Sequence, residues 1–488
     1  MATTQLDEQG LLIGGAWREA GSKRAFDQVD PYTGEAAGSA AAATREDARA
    51  AADSAAEAFG EWSTTAPGRR RELLQKATAL LGQRAEEIAG IVTRETGGTF
   101  GWGMFNVSFA AGMLSEAAAQ TYAVTSEVIP SDVPGLTAMG VRQPAGVVLG
   151  IAPWNAPVIL GTRAVAQPLA FGNTVVLKAS DVCPRTHGEI IRALDDAGLP
   201  AGAVNLITHE ADDAAAMVDE LIAHPAVRRI NFTGSTRVGR LIAENAARHL
   251  KRVLLELGGK APLVVLADAD LDEATAAAKF GAFMHQGQIC MSTERIVVDE
   301  SVAGAFTARL GERASALKIG DPRDPETQIG PMVNQAAVDR VAGLVDDAVA
   351  NGAEVVTGGE ADGPVFPPTV LSGVTSGMRI YSEESFGPVV GIIRVDGPDE
   401  AVRVANDTEY GLAAAVFGGH VPTALGLARR IESGICHVNG ATVHDEAQMP
   451  FGGVKASGFG RFGGKAGLEE FTELRWITVQ TGSRQYPI

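Results

Sequence analysis

The chain has 488 residues, 45% hydrophobic and 20% charged, with a formal net charge of −18. That length exceeds one ordinary core, so two or three domains are expected, and the acidic balance argues against nucleic acid or a membrane surface as partner. Three cysteines, Cys183, Cys290 and Cys436, are odd in number, far apart and without CxxC pairing, which fits a reducing, cytoplasmic setting and offers no metal site.

The N-terminal MATTQLDEQG has no basic stretch leading into an apolar one, so no secretory signal is expected. LLIGGAW and DPYTGE read as short strands with glycine turns. Thr44 and Asp47 form a capping-box start, after which Ala48, Ala52, Ala55, Phe59 and Trp62 recur at helical spacing and define one buried stripe. Pro67 opens a second helix with Leu73, Leu74, Ala77, Leu80 and Leu81 inward, and Arg69 to Arg71 read as a solvated charge run. Beyond Gly97 the periodicity loosens, and TYAVTSEVIP to GLTAMGVRQPAG looks extended. The uncharged stretch 143–162 is broken by prolines into a short strand and a loop, which excludes a membrane span.

From Gly146 the chain alternates β-rich runs (VVLGIAP, TVVLK, AVNLI, RRINF) with helical or loop segments, and a second series (PLVVL, RIVVD, AEVVT, VVGIIRV, AAAVFG) follows Glu256. Such alternation indicates βαβ units, here in two α/β domains. In RRINFTGSTRVGR a strand runs into a turn carrying Gly234 and Ser235, and a helix follows from about Thr236. Its free amides and positive dipole end suit a pyrophosphate, although a glycine turn before a helix is common. Lys178 ends TVVLK at the edge where parallel sheets bind ligands, with Asp181 close behind to accept from ribose hydroxyls. A solvated strand-end lysine is the plainer alternative.

The stretch GAFMHQGQICMSTERI presents Cys290 among polar neighbours and beside Gly287, a setting for a nucleophile rather than for a small core side chain. A free thiol is mostly protonated at neutral pH, so a base must help it. Glu256, in an apolar run before two glycines, is either paired structurally or kept for proton transfer. Asn155, in IAPWNAP, offers an amide to a reacting carbonyl oxygen. Together these point to covalent catalysis with hydride transfer.

On PWN at Asn155, VVLK at Lys178, FTGSTRVG, LELGGK at Glu256, GQIC at Cys290, EESFGPV and PFGGVKASGFGR, the chain resembles the aldehyde dehydrogenase superfamily over nearly its whole length. The resemblance implies an α/β fold. It comprises a Rossmann-like cofactor domain (residues 1–121 and 145–256), a catalytic α/β domain (257–458) and a small β oligomerisation ribbon (122–144 and 459–488). It implies Cys290 as nucleophile, Asn155 and the Cys290 N–H as oxyanion site, and Glu256 as base. It also implies Lys178 and Asp181 at the adenosine ribose, Gly234, Ser235 and Gly239 at the pyrophosphate turn, and Glu384, Phe386 and Trp154 at the nicotinamide end. Asp181 stands where many NAD-preferring members carry glutamate, so NAD with NADP also used is the expected cofactor. Phe462 follows Gly-Arg where many members carry glutamate.

HVNGATVHDEAQMPFGG, VLKASDVCPRTHGEI and GFGRFGG resemble the branch acting on aromatic aldehydes such as vanillin, benzaldehyde and salicylaldehyde. Phe283, Met284 and Ile289 are then apolar candidates for a ring pocket, or ordinary core. Arg163 could bond a phenolic or carboxylate group, or sit at the surface or a subunit contact. A homodimer or homotetramer is expected. The rival readings are an aliphatic or semialdehyde dehydrogenase, a cysteine hydrolase using His285 or His444, and a non-enzymatic scaffold.

Overall fold

A computed structural model describes residues 8–488. MATTQLD lies outside the described residues, so the N-terminal signal reading rests on sequence alone. Thr44 and Asp47 close the capping box on the helix Arg45–Thr64, with Ala48, Ala52, Ala55 and Trp62 buried. The second helix is Pro67–Gln83. The charge run is not uniformly solvated: Arg70 is buried and donates to the carbonyls of Thr65 and Ala170. DPYTGE is the turn between the strands Ala25–Val29 and Ala36–Ala41, its Asp30 carboxylate accepting from the amides of Tyr32 and Thr33.

The first large sheet has eight strands in the order Gly458–Phe459, Arg252–Glu256, Val227–Thr233, Val147–Ile151, Thr174–Lys178, Val204–Ile207, Leu11–Ile13, Ala16–Arg18. Its inner five strands are parallel. From Val147–Ile151 the chain moves out one way to Thr174–Lys178 and Val204–Ile207, then returns to the other side as Val227–Thr233. The carboxyl ends of Val147–Ile151 and Val227–Thr233 therefore flank a switch point, where open α/β sheets bind ligands. The second sheet has seven strands around Thr293–Asp299, parallel except for the edge strand Glu354–Thr357. Gly458–Phe459 crosses from the second half of the chain onto the edge strand Arg252–Glu256, pairing Gly458 with Glu256.

Two helices escape the periodicity. Phe100–Ala119 is rich in glycine, alanine and aromatics on every side, so no single stripe marks it. Pro157–Ala170, which follows the IAPWN loop, is buried at every position and reads from sequence as loop. Of residues 121–146, expected to be extended, Thr121 and Tyr122 end a 3-10 turn, while Glu127–Ile129 and Thr472–Gln480 pair antiparallel on either side of Leu136–Pro144 in a three-stranded ribbon. Val128, Leu474 and Trp476 are exposed on it. Among the described residues no helix is long and apolar enough to cross a membrane, and no cluster of His, Cys, Asp or Glu is arranged to hold a metal.

Candidate active site

Cys290 lies in the turn between the helix Leu271–Phe283 and the central strand Thr293–Asp299 of the second sheet. His285, Gln286 and Gly287 are all left-handed, at φ 49°, 56° and 68°. Such a run is strained for side-chain-bearing residues and persists only when fastened from outside. Gln286 Nε2 donates to the carbonyls of Pro331 (2.8 Å) and Gly97 (3.2 Å), the amide of Val333 donates to Gln288 Oε1 (3.0 Å), and Ser292 Oγ donates to the carbonyl of Gly287 (3.0 Å). Gly287 has no room for a methyl group, since a Cβ there would lie 2.1 Å from the Gly387 carbonyl oxygen.

Asn155 follows the central strand Val147–Ile151 of the first sheet. Its Nδ2 donates one proton to the carbonyl of Gln288 at 2.9 Å, leaving the second for a ligand, and it holds the side chain within two residues of the nucleophile. Trp102, which the sequence reading missed, donates from Nε1 to the Asn155 carbonyl (3.2 Å) and stacks on His285 with centroids 4.7 Å apart. The long helix around it gives no periodic signal.

Glu256 ends its strand fully buried. Burial pushes its carboxyl up to about 7, opposed mainly by the Arg163 cation. Burial likewise pushes the Cys290 thiol well up, and the neighbouring Glu256 charge adds to it, so the resting sulfur is a thiol. The thiol is close enough to act on the carboxyl, yet neither carboxyl oxygen has a hydrogen-bond partner of normal geometry. We therefore regard the two as adjacent but not bonded.

Cys290, Glu256 and Asn155 open onto one cleft of about 340 Å³ at the switch point, also lined by Trp154, Gly234, Ser235, Glu384 and Phe386. Ser235 caps the helix Thr236–Arg248, its Oγ accepting from the Val238 amide. Glu384 accepts from the Gly259 amide at 2.8 Å, and burial pushes it up to about 7. A Cβ at Gly258 would lie 2.7 Å from Glu384 Oε2, so the backbone passes directly under that carboxyl. Phe386 is held left-handed (φ 47°) and meets Trp154 edge to face at 5.8 Å. The cleft also takes in Val333, Asn334 and Arg340, which no motif marks. Lys178 and Asp181 lie outside its lining, at the end of the adjacent strand. Lys178 is buried, which lowers its ammonium to about 8 against the pull of Asp181.

Three expected contacts fall elsewhere. Gly239 does not line the cleft; a Cβ there would strike Leu257 at 2.5 Å, so its smallness serves helix-to-strand packing. Phe283 is fully buried in the core of the second sheet with Leu263, Ile296 and Val390, and is not in the apolar cluster that contains Cys290. Arg163 is not on the surface: it is buried on Pro157–Ala170, ion-paired with Asp445, with its guanidinium 4.2 Å from the centre of the Phe451 ring. Phe462 is buried beside it. Met284 and Ile289 do share the Cys290 cluster, with Phe109, Met113, Ile435 and Val443. Neither histidine of the hydrolase reading serves the thiol: His285 is stacked under Trp102, and His444 is exposed beside Glu446.

Comparison with known proteins identifies the family. The sequence pattern of the Aldehyde dehydrogenase family matches residues 17–477. A vanillin dehydrogenase of Pseudomonas fluorescens is 57% identical over 98% of this chain and 99% of its own length. A benzaldehyde dehydrogenase of Bacillus subtilis is 39% identical over 98% of both chains. The crystal structure of a salicylaldehyde dehydrogenase from Pseudomonas putida G7 complexed with salicylaldehyde superposes with a TM-score of 0.97 at 46% identity, covering 99% of this chain and 100% of that one. With its fold and nearly its full length in agreement, the chain belongs to the aldehyde dehydrogenase family.

Proposed function

We propose that the protein oxidises an aromatic aldehyde of the vanillin or benzaldehyde type to the carboxylic acid, with NAD as the preferred nicotinamide dinucleotide and NADP also accepted. The observation that carries this reading is the meeting of Cys290 with an unpartnered buried Glu256 and the Asn155 amide in one cleft, with Cys290 also packed against an apolar cluster. The relatives named for vanillin, benzaldehyde and salicylaldehyde support the aromatic class.

The cleft suits a dinucleotide. The capped helix start at Ser235 would take the pyrophosphate, Lys178 and Asp181 the adenosine ribose, and Glu384 with Phe386 the nicotinamide end. When bound, the dinucleotide supplies an acceptor for the hydride that leaves the substrate carbon.

As the Cys290 sulfur attacks the aldehyde carbon, Glu256 takes the thiol proton, since with a value near 7 it is poised between base and acid. The oxygen of the thiohemiacetal receives hydrogen bonds from the second Asn155 Nδ2 proton and the Cys290 backbone N–H. Collapse of that oxyanion expels hydride and leaves a thioester on Cys290. Glu256 gives the thiol proton up to solvent, then accepts one from the water that attacks the thioester and returns it to the departing sulfur, so that the carboxylic acid and the free thiol are released. Met284, Ile289, Phe109 and Met113 give an aromatic ring an apolar wall.

A steady-state screen of vanillin, benzaldehyde, salicylaldehyde, succinic semialdehyde and a short aliphatic aldehyde, each with NAD and NADP, tests this reading through absorbance of the reduced cofactor. The aromatic aldehydes should give the highest kcat/KM. A preference for the semialdehyde or aliphatic substrate would overturn the substrate class, and a strong NADP preference the cofactor assignment.

A further inference from the structure

Four buried polar atoms around the catalytic base lack a hydrogen-bond partner: both carboxyl oxygens of Glu256, Arg163 Nε and Asp445 Oδ1. They form one row. Arg163 is the cation that acts most strongly on Glu256, and its Nη2 is committed to Asp445 Oδ2. An arginine beside a buried carboxylate ordinarily closes a two-pronged pair with it, and a base so paired would be fixed as the anion and weakened. Here no such pair forms: neither Glu256 oxygen nor Arg163 Nε has a hydrogen-bond partner, and the guanidinium lies 4.2 Å from the centre of the Phe451 ring with Nη2 on the Asp445 carboxylate. Beyond the pair is a small cavity of about 20 Å³ between Arg163, Gln167, Asp445, Glu446 and Met449, room for about one water.

We propose that Asp445 is a positioning residue for the aldehyde oxidation: by claiming the Arg163 guanidinium it keeps that cation off Glu256 and offsets part of its charge, so the base stays able to take a proton. Asp445 comes from the loop after Ile435–Val438 and Arg163 from the helix after Asn155, so two distant segments meet behind the base. The titratable and charged groups acting on Glu256 are Arg163, Cys290, Glu384 and Asp445; Arg163 favours its ionised form, while Glu384 and Asp445 oppose it. Loss of Asp445 therefore lets the base ionise at lower pH and act more weakly, and loss of Arg163 does the reverse.

The inference rests on Glu256 being the base, and the experiment separates the two claims. The pH profile of kcat with benzaldehyde and NAD is measured for the wild type and for E256Q, D445N, D445E and R163M. The acid limb should vanish in E256Q. In D445N it should move to lower pH by roughly one unit with a reduced plateau, D445E should restore the wild-type midpoint, and R163M should move it to higher pH. A midpoint measures ionisation and not the amount of folded enzyme, and R163M reads the same relation should D445N fail to fold. Wild-type midpoints in both D445N and R163M, with no limb in E256Q, would overturn the role of Asp445 and leave the base in place. An acid limb that survives in E256Q would remove the base assignment and this inference with it.

Discussion

Lys260 and Glu294 meet at 2.7 Å, both buried, and the same Glu294 carboxylate accepts from the amides of Ser385 (3.0 Å) and Phe386 (3.1 Å). Lys260 follows Gly258 and Gly259, the glycines under Glu384, so one ion pair ties the exit of the Glu256 strand to the turn carrying Glu384 and Phe386. A buried pair contributes little over an apolar replacement, but breaking it strands a charge.

Replacing Glu294 with glutamine should therefore cost about 3–5 kcal/mol of stability and raise KM for the dinucleotide more than KM for the aldehyde, because the Phe386 turn loses its anchor. Denaturant unfolding together with the two KM values checks this; an unchanged cofactor KM would reduce the pair to a purely structural role.

Gly287→Ala should be far more damaging than its size implies. The position combines a left-handed φ with a Cβ 2.1 Å from the Gly387 carbonyl oxygen, so the turn must shift and Cys290 with it. A drop in kcat of about a hundredfold or more is expected, as for comparable displacements of a reacting group. A variant with near-wild-type kcat would show that the turn does not set the position of the sulfur.

Much of this was legible in the sequence, and the reasons differ by element. The parallel strands announced themselves as short β-rich runs, and the capping box at Thr44 fixed a helix start. Cys290, Glu256 and Asn155 stood out because each is chemically out of place in its surroundings. Pro157–Ala170 was hidden because it is buried all round, and Phe100–Ala119 because its apolar residues lie on its buried and exposed sides alike, so neither carries a stripe. Gly239 and Phe283 look like ligand contacts in a line of text, and only packing against Leu257 and the second core shows otherwise. Asp445 sat within a quoted loop, but its partner is 282 positions away, and no local pattern encodes such a pair.

His285 supplies a pH prediction. It is buried, neither ring nitrogen has a partner of normal geometry, and burial lowers it to about 3 from an ordinary 6.5. With the folded value depressed, the unfolded chain binds the extra proton below about 6.5, so this group costs stability progressively as pH falls from there toward 3. His285→Phe, which keeps the stack on Trp102, should gain on the wild type by up to about 1.4 kcal/mol per pH unit in that window. Denaturant midpoints at pH 7.5 and pH 5 test this; a difference between the two proteins that does not change with pH would contradict a neutral buried imidazole.

Asp181 bears on cofactor choice. In the proposed cofactor placement its carboxylate lies beside the ribose and would repel a 2′-phosphate, so Asp181→Ser should raise kcat/KM for NADP relative to NAD by about tenfold, roughly the effect of one unfavourable charge contact. An unchanged ratio would place discrimination elsewhere.

The most direct test of the central claim is mass spectrometry of the E256Q variant after mixing with vanillin and NAD. With the base gone, attack slows because solvent must take the thiol proton, but thioester hydrolysis, which needs an activated water, should slow further, so the protein should gain the mass of one vanilloyl group, mapped to the peptide containing Cys290. No acyl adduct on Cys290, under conditions where the reduced cofactor still forms, would contradict covalent catalysis by that sulfur.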